Sequence, residues 1–458
     1  MAIIAQRELY NWEHIEAASD LDRLTMVLNA IPDEHLMQVL EAERKGRRDD
    51  YPIRAVWNSV LAGVIFQHES IESLRRELSR NGQLRDICGL VPYNGGAAVP
   101  PSWVYTRFLG KLVRHQEEID AMFDELVETL RTLLPDFGAR LAVDSKAVDS
   151  HGKPPKENAD AQETASDHRR DNDADWGKKT YRGKREDGTL WEKVKSWFGY
   201  KIHLLVDSDY ELPVAYVVTK ASASDTVNVL PLVEQADKKH PELLENTVFL
   251  SGDKGYDSEE NNKELWDLYG IKPILDIRAT WKEDPGMPRP VYPDKVDTIF
   301  YTEDGKVLCR NREDAEKEAD NYTAMAFEGF EADRATLKYR CPAAAKGIEC
   351  TQADLCNGGC QSPCGRIVRV PLDTNRRTFT PQARDSKTWD REYDHRTAVE
   401  RVNSRLDVSF GFERHYIRGL AKMKMRAGLA LVILLAMAVG RIRAGQKDQM
   451  RSLVRPAA

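Results

Sequence analysis

The sequence lacks an apolar run long enough to cross a membrane. Its apolar run from Ala427 to Val439 is about 13 residues long, whereas a membrane-spanning helix needs about 20. The first residues, from Met1 to Tyr10, also lack the basic start, apolar core and small-residue cleavage site of a secretory signal. These absences predict a cytoplasmic protein with no membrane partner, in which this run forms a buried core helix.

The sequence also lacks the excess of positive charge that is typical of nucleic-acid binders. Its 458 residues carry a formal net charge of −7, and 31% of them are charged. The charge is unevenly spread, because residues 376–426 hold thirteen Lys and Arg but seven Asp and Glu. A basic segment in an acidic protein indicates either a surface for phosphates or a solvated helical face.

No Cys-x2-Cys pair occurs, and no histidine lies among the clustered cysteines. Five of the seven cysteines cluster, with eight, five, three and three residues between them: Cys341, Cys350, Cys356, Cys360 and Cys364. The last three have a spacing suited to tetrahedral zinc, although five candidates leave one over. Without an export signal, disulfides are disfavoured. Structural zinc, free thiols and an iron–sulfur cluster are the alternatives.

The hydrophobic pattern divides the chain into five parts. Residues 1–138 have apolar residues at helical spacing, which predicts an all-helical DNA-binding or dimerisation region. Residues 139–280 follow the order strand, hairpin, helix, strand, helix, strand, with a mobile loop predicted at 153–188. Residues 281–383 look like a cysteine-rich insertion, residues 384–445 return to the fold with two helices, and 446–458 form a tail. This order predicts an α/β fold, a mixed sheet with flanking helices.

Three carboxylates stand in contexts suited to a metal site. Asp144 and Asp253 each end a predicted apolar strand, and Glu400 lies on a predicted helix. Carboxylate oxygens are the ligands that Mg²⁺ prefers, and two such ions can clamp the attacking and leaving oxygens of a phosphoryl transfer. The alternative is a turn or cap role for the aspartates and a surface salt bridge for the glutamate.

The predicted helix around Glu400 has two distinct faces. Tyr393, Arg396 and Glu400 are three and then four residues apart, so they share one face of a helix. Val399 and Val402 are spaced to bury the opposite face. The pattern therefore predicts a packed helix that presents one carboxylate beside an arginine.

Together these motifs resemble the DDE transposases of bacterial insertion sequences. The resemblance covers about residues 50–440 and rests on Ala142-Val-Asp144-Ser-Lys, Trp197-Phe-Gly-Tyr-Lys-Ile-His, Gly252-Asp253-Lys-Gly-Tyr-Asp and Tyr393-x2-Arg396-x3-Glu400. It implies an RNase H-like catalytic domain. It also implies that Asp144, Asp253 and Glu400 bind two Mg²⁺ or Mn²⁺ ions, and that Tyr393 and Arg396 contact DNA phosphates.

The resemblance implies an enzyme that binds the ends of its own element, cuts there and joins 3′-hydroxyl ends to target DNA, as a homodimer. Further phosphate contacts are expected from Arg401, Arg405, Lys422 and Lys424. One departure is Asp407, because the related signature has a lysine seven residues after its glutamate. Two alternatives are a non-catalytic DNA-binding regulator derived from a transposase, and a metal-dependent nuclease that does not join strands.

Overall fold

The computed structural model describes residues 19–44, 51–154, 169–185, 189–281, 286–294, 297–310, 322–347, 356 and 365–452. Seven helices precede the first strand: α1 Ser19–Ala30, α2 Glu34–Ala42, α3 Ile53–Ile65, α4 Ile71–Arg80, α5 Gly82–Cys88, α6 Ser102–Arg114 and α7 Gln116–Leu133. The helices after that strand are α8 Val229–Lys239, α9 Pro241–Glu245, α10 Glu259–Asp267, α11 Pro342–Lys346, α12 Lys387–Asp394, α13 Thr397–Phe410 and α14 Leu420–Arg443.

The central sheet is mixed, as the sequence predicts. Its strands are β1 Arg140–Asp149, β2 Asp175–Lys184, β3 Leu190–Asp207, β4 Leu212–Lys220, β5 Phe249–Gly252 and β6 Lys272–Leu275. The order is β2-β3-β1-β5-β6, with β4 also paired to β3. β1 runs antiparallel to β3 and parallel to β5, and β5 runs parallel to β6. β3 is long enough to pair with β2 along its first half and with β4 along its second half.

Two predictions for this sheet are wrong. β1 does not end at Asp144 but continues to Asp149, so that Asp144 lies within the strand opposite Leu204. The predicted mobile loop at 153–188 contains β2, which forms a hairpin with the first half of β3. Most described side chains of this hairpin are exposed, so the alternation of buried and exposed residues that identifies a strand is missing. Residues 155–168 and 186–188 lie outside the described part of the chain.

One hydrophobic core joins the N-terminal helices to the sheet. α14 packs against α1, α7 and β4, and its residues from Ala427 to Val439 are buried. Among the described residues it is the one helix long and apolar enough to span a membrane, but 83% of its apolar window is buried inside the protein. It is therefore a core helix, as predicted. The boundary predicted at residue 138 falls between α7 and β1, although the core continues across it.

The described residues between 281 and 383 form two small sheets around a separate hydrophobic core. The first sheet has the order β10-β9-β8-β7 and the second β11-β12-β13. Their strands are β7 Arg289–Pro290, β8 Ile299–Tyr301, β9 Val307–Arg310, β10 Tyr322–Ala324, β11 Ala326–Glu331, β12 Thr336–Arg340 and β13 Ile367–Pro371. The separate core includes Tyr339 and Phe379. This core is separate from the main one, and the interpretation of residues 281–383 as an insertion stays a prediction.

A buried arginine ties the start of this inserted part to its end. The guanidinium of Arg384 donates hydrogen bonds to the carbonyl oxygens of Leu275, at the end of β6, and of Arg377 and Thr378. Burial lowers the pKa of Arg384 to about 10. The chain therefore leaves the main fold and re-enters it at neighbouring points.

The single helix predicted around Glu400 is two helices. α12 ends at Asp394 and α13 begins at Thr397. Between them the backbone hydrogen bond spans three residues instead of four, because the amide of Arg396 donates to the carbonyl of Tyr393. The hydroxyl of Thr397 donates to the carbonyl of Asp394. This side-chain competition for a helix carbonyl explains why the helix is interrupted here. The predicted apolar face of α13 is buried as expected.

Candidate active site

Three aspartates meet where β1, β5 and the loop after β4 come together. Asp144 lies on β1, Asp253 follows β5 directly, and Asp225 lies between β4 and α8. The pKa of Asp144 is raised to about 6, chiefly by burial; Lys179 and the backbone amide of Ser145 oppose the rise, and the charges of Asp253 and Asp225 add to it. The aspartates therefore repel one another, which is the electrostatic state that a bound cation relieves.

The turn after β5 fixes the side chain of Asp253. Its Oδ1 atom accepts a hydrogen bond of 2.6 Å from the backbone amide of Gly255. A Cβ atom at position 255 would lie 2.6 Å from that oxygen and 3.7 Å from Oδ2 of Asp225. Only glycine therefore allows the chain to pass this close to both carboxylates.

Asp225 is a member of this cluster that the sequence analysis missed, because its position suggests only a helix cap. Its side chain caps no helix. Instead Oδ1 accepts a hydrogen bond of 2.9 Å from Nζ of Lys201, which also donates to the carbonyl of Ala223. His203 lies beside it, with Nδ1 3.9 Å from Oδ1. Burial lowers the pKa of His203 to about 4, so this histidine is neutral at pH 7.

Arg396 lies between the aspartates and Glu400. Its guanidinium donates a hydrogen bond of 2.7 Å to Glu400 and lies 5.5 Å from the centre of the Tyr393 ring. Burial opposes its charge, but Glu400, Tyr393 and Asp144 together raise the pKa of Arg396. Glu400 itself is half exposed, at 53%. The structure thus brings Tyr393, Arg396 and Glu400 together. Glu400 is paired with Arg396 and is not placed among the aspartates.

The chemistry of these residues fits divalent metal ions, although the three predicted ligands are not assembled. In the described ranges, no three His, Cys, Asp or Glu side chains are arranged to hold a metal ion. The fit rests on the mutual repulsion of the aspartates and on the buried Tyr256 hydroxyl among them. That hydroxyl lies near the side chain of Ser145, and burial followed by the charges of Asp144, Asp225 and Asp253 raises the pKa of Tyr256.

A lysine on β1 compensates for Asp407. Nζ of Lys146 donates hydrogen bonds to Oδ2 of Asp407 at 2.5 Å and to Oε1 of Glu413 at 3.0 Å. Lys146 is buried, with 8% of its side chain exposed, and shares a face of β1 with Asp144, two residues away. Burial raises the pKa of Asp407, against the effect of Lys146. A cation is therefore present beside α13, but the strand supplies it and the helix supplies the carboxylate.

Four other predicted DNA-binding residues have different surroundings. Arg401 and Arg405 both form ion pairs with Glu211, at 2.6 and 3.1 Å, and burial lowers the pKa of Arg405 to about 10. Lys424 donates to Asp120 at 2.9 Å. Lys422 is exposed and lines a cavity of about 890 Å³. Of the four, Lys422 is the one that forms no ion pair with a described carboxylate, and DNA contact by all four stays a prediction.

The cysteines of the inserted part have a neighbour that the sequence analysis did not include. Cys309 on β9 lies beside Cys341 and Cys356, whose thiol groups add to the effect of burial and raise the pKa of Cys309 to about 11. The amide of Cys341 donates to the carbonyl of Arg366, and the Arg366 side chain contacts Cys356. The remaining predicted zinc ligands lie outside the described residues: Cys350, Cys360 and Cys364.

Comparisons with known proteins identify a transposase domain. The family described as "Transposase DDE domain" matches residues 136–436, which include Asp144, Asp253 and Glu400. The chain is 32% identical over 87 residues to the putative transposase for insertion sequence element IS402 of Burkholderia cepacia; the match covers 18% of this chain and 39% of that protein. The chain thus spans about two fifths of this curated relative.

A structural match was found with the piggyBac transposase synaptic complex with hairpin DNA. It covers 97% of this chain and 87% of that chain, with a TM-score of 0.34 and 11% sequence identity. A likeness this weak carries no argument about fold or function.

The raised pKa of Asp144 predicts a dependence of stability on pH. The folded protein holds a proton on Asp144 up to about pH 6 and the unfolded chain only to about pH 4, so stability falls as pH rises through this window. Asp144→Asn should raise the unfolding free energy by about 2–3 kcal/mol at pH 8 without metal, and by little near pH 4. Thermal unfolding at both pH values measures this, with the exposed Asp149→Asn on the same strand as control.

The same experiment with added Mg²⁺ tests the metal fit without any reaction. Mg²⁺ should raise the unfolding midpoint of the wild type and of Asp149→Asn, because it binds the folded state and neutralises the carboxylates. The midpoint of Asp144→Asn should respond less. Equal responses of all three proteins would contradict a metal site at Asp144.

The pair of Lys146 and Asp407 predicts strong coupling between β1 and α13. Lys146→Met leaves Asp407 partly buried without its cation and should lower the unfolding free energy by about 1–3 kcal/mol. The double variant Lys146→Met/Asp407→Leu removes both charges and should cost less than Lys146→Met alone. A double-mutant cycle by urea unfolding measures this coupling. Additive costs would show that the pair does not hold α13 on the strand.

Proposed function

The chain belongs to the transposase DDE domain family, and from this we propose that it binds the ends of an insertion sequence, cleaves phosphodiester bonds there and joins the freed 3′-hydroxyl groups to target DNA. The single observation that carries this proposal is the meeting of Asp144 and Asp253 beside Arg396. It is supported further by Asp225, which adds a third negative charge at the same place. Such a cluster is unfavourable unless cations act there.

We propose that the catalytic domain has an RNase H-like fold. The order β4-β3-β1-β5-β6 supports this, with β3 antiparallel to its neighbours and β1, β5 and β6 parallel. In this arrangement β1 is central and carries the first carboxylate.

Asp144, Asp253 and Glu400 would hold two divalent ions, Mg²⁺ or Mn²⁺. Such ions supply an activated water or 3′-hydroxyl and stabilise the charge that develops on the attacked phosphate. The chain itself contributes a rigid strand for Asp144 and a turn that orients Asp253. Lys179 opposes the raised pKa of Asp144, and so favours its ionised form at neutral pH.

Arg396 would couple DNA binding to completion of the site. In this structure its guanidinium is paired with Glu400, and its buried Nε atom has no hydrogen-bond partner among the described residues. A DNA phosphate gives this guanidinium an alternative partner, since arginine binds phosphate oxygens with two parallel hydrogen bonds. Transfer of Arg396 to the phosphate would release Glu400 to join the aspartates.

The wider assembly follows from the same proposal. Lys422 would contact DNA phosphates outside the cleavage site, and Tyr393 and Arg396 those beside it. Processing two element ends together requires two active sites, so we propose a two-fold symmetric homodimer. We place the protein in the cytoplasm of a bacterium, where its DNA substrates are accessible.

We also propose that the inserted part binds structural zinc, with Cys309 among the ligands. Cys309 lies near Cys341 and Cys356, which are distant in sequence, although these three thiols are not arranged to hold a metal ion by themselves. Tetrahedral zinc needs a fourth ligand, for which Cys350, Cys360 and Cys364 are the candidates. The proposal explains why a small insertion with charged, glycine-rich sequence has an ordered core.

Metal analysis tests the zinc proposal. The purified protein should contain about one zinc ion per chain, and Cys309→Ser should lose most of it. Cys88→Ser is the matched control, because Cys88 is buried among the N-terminal helices and should not affect zinc content. Wild-type protein without zinc, or equal zinc in both variants, would contradict the proposal.

Cleavage of DNA tests the proposed function directly. With Mg²⁺, the protein should nick DNA that carries the flanks of its own coding region at defined positions, and strand-transfer products should follow. Asp253→Asn should lower the rate by at least about 10³-fold, because it removes a charged ligand while keeping the turn. Gel assays of labelled substrates measure both steps, with the exposed Asp149→Asn as control.

The other outcomes identify the alternatives. Binding of the flanks without cleavage in Mg²⁺ or Mn²⁺ would replace the enzyme with a DNA-binding regulator. Cleavage without joined products would indicate a nuclease. Three acidic ligand candidates in one chain support the enzyme over the regulator, because a regulator has no use for their repulsion.

A further inference from the structure

A basic β-hairpin extends from the central sheet next to the carboxylates. We call residues 175–184 and 190–199 the basic arm; it consists of β2 and the first half of β3. About nine residues of β3 extend beyond the region paired with β1 and β4, which is roughly 30 Å of strand. Its lysines Lys178, Lys179, Lys193 and Lys195 are all exposed.

Two tryptophan rings pack across the strands of the arm. The ring of Trp197 lies over Gly177 and that of Trp191 over Gly183, so closely that a Cβ atom would be 2.4 and 2.6 Å from the rings. Tryptophans placed on cross-strand glycines pin the register of a hairpin. Asp175 fixes the base of the arm by accepting a hydrogen bond of 2.8 Å from the amide of Ser222.

The lysines of this arm repel one another, which destabilises the protein when no ligand is bound to the arm. Lys179 and Lys195 face each other across the strand pair, and like charges in this position are destabilising. Lys193 lies on the same face, two residues from Lys195. Within the described ranges, no carboxylate forms an ion pair with Lys193 or Lys195. A ligand with several negative charges would remove this repulsion.

The arm also exposes apolar side chains, on the face opposite Lys193 and Lys195. Trp176 is 59% exposed, Leu190 84% and Val194 46%. An isolated two-stranded hairpin is only marginally stable in water. The basic and apolar groups together therefore indicate a surface that functions with a bound partner.

The base of the arm continues into the candidate active site. A cavity of about 350 Å³ is lined by Trp176 and Lys178 of the arm and by Lys201, Asp225 and Arg278. Lys179 lies near enough to Asp144 to influence its ionisation. A long polymer bound along the arm would therefore extend to the carboxylates of Asp144 and Asp225.

We propose that the basic arm is a DNA-binding element that holds the phosphate backbone of duplex DNA next to the cleavage site. This inference rests on the proposed function and adds a surface to it. Lys193 and Lys195 would contact phosphates, while the partly exposed ring of Trp191 on the same face would pack against the sugars. DNA is favoured over a second copy of the chain, because the base of the arm lines a cavity together with Asp225, beside the carboxylates proposed to cleave DNA.

Salt-dependent binding to a duplex of arbitrary sequence, without divalent metal, tests the inference. Each phosphate contact contributes about 0.9 to the slope of log affinity against log salt, so Lys193→Gln/Lys195→Gln should reduce that slope by about 2. Lys263→Gln/Lys447→Gln is the matched control, because both of these lysines are exposed and lie outside the arm. Fluorescence anisotropy gives the affinities, and thermal unfolding checks that both variants are folded.

Each outcome has a separate meaning. A reduced slope in the arm variant alone supports the inference. Equal slopes in all three proteins overturn it and leave the proposed function intact, whereas a wild type that binds no DNA at low salt overturns both. If the arm variant keeps its slope but loses its dimer in sedimentation, the arm is a protein contact instead.

Acetylation of lysines provides a test that needs no substitution. In the wild type, bound duplex should protect Lys193 and Lys195 from acetylation and leave Lys263 and Lys447 reactive, as read by mass spectrometry of the peptides. Unchanged reactivity of Lys193 and Lys195 in saturating DNA would contradict the inference.

Discussion

Repulsion among Asp144, Asp225 and Asp253 is the constraint around which the centre of this protein is arranged. Three carboxylates in one partly buried place are unfavourable, and the surrounding cations reduce this cost without removing it. Lys201 binds Asp225, Lys179 acts on Asp144, and Arg396 stands between Asp144 and Glu400. The elements that bring these cations are drawn from the whole chain, so the electrostatics of the site and the packing of the fold depend on each other.

Ion pairs in this protein join charges from distant segments of the chain. The clearest case is Lys146 and Asp407, where the strand has the lysine and the helix the aspartate. Read from the sequence alone, Asp407 looks like a loss of function. In the folded protein the charge of Asp407 is balanced by that of Lys146. Their interaction energy depends on the distance between the two charges and not on the segments that carry them.

The sequence predicts those parts of the protein whose signal is local. Apolar strands such as β5 and the buried helix α14 follow from hydrophobic runs, and Tyr393, Arg396 and Glu400 do lie together. Asp225 and Lys146 were not found because their roles depend on contacts between distant segments. The basic arm was mistaken for a loop, since a ribbon exposed on both faces has no alternation to recognise. The helix break before Thr397 depends on one hydroxyl competing for a carbonyl, which helical spacing cannot show.

The arginine that joins the two ends of the inserted part has a consequence for how this architecture can evolve. Arg384 holds the exit and re-entry points of the chain together, and the inserted sheets are stabilised by their own core. Lengthening a closed loop costs little free energy, about 0.6 kcal/mol for each doubling of its length. The inserted part is therefore a module that can grow, shrink or be exchanged for another while the carboxylates keep their positions. Selection can alter what such a protein recognises without altering how it reacts.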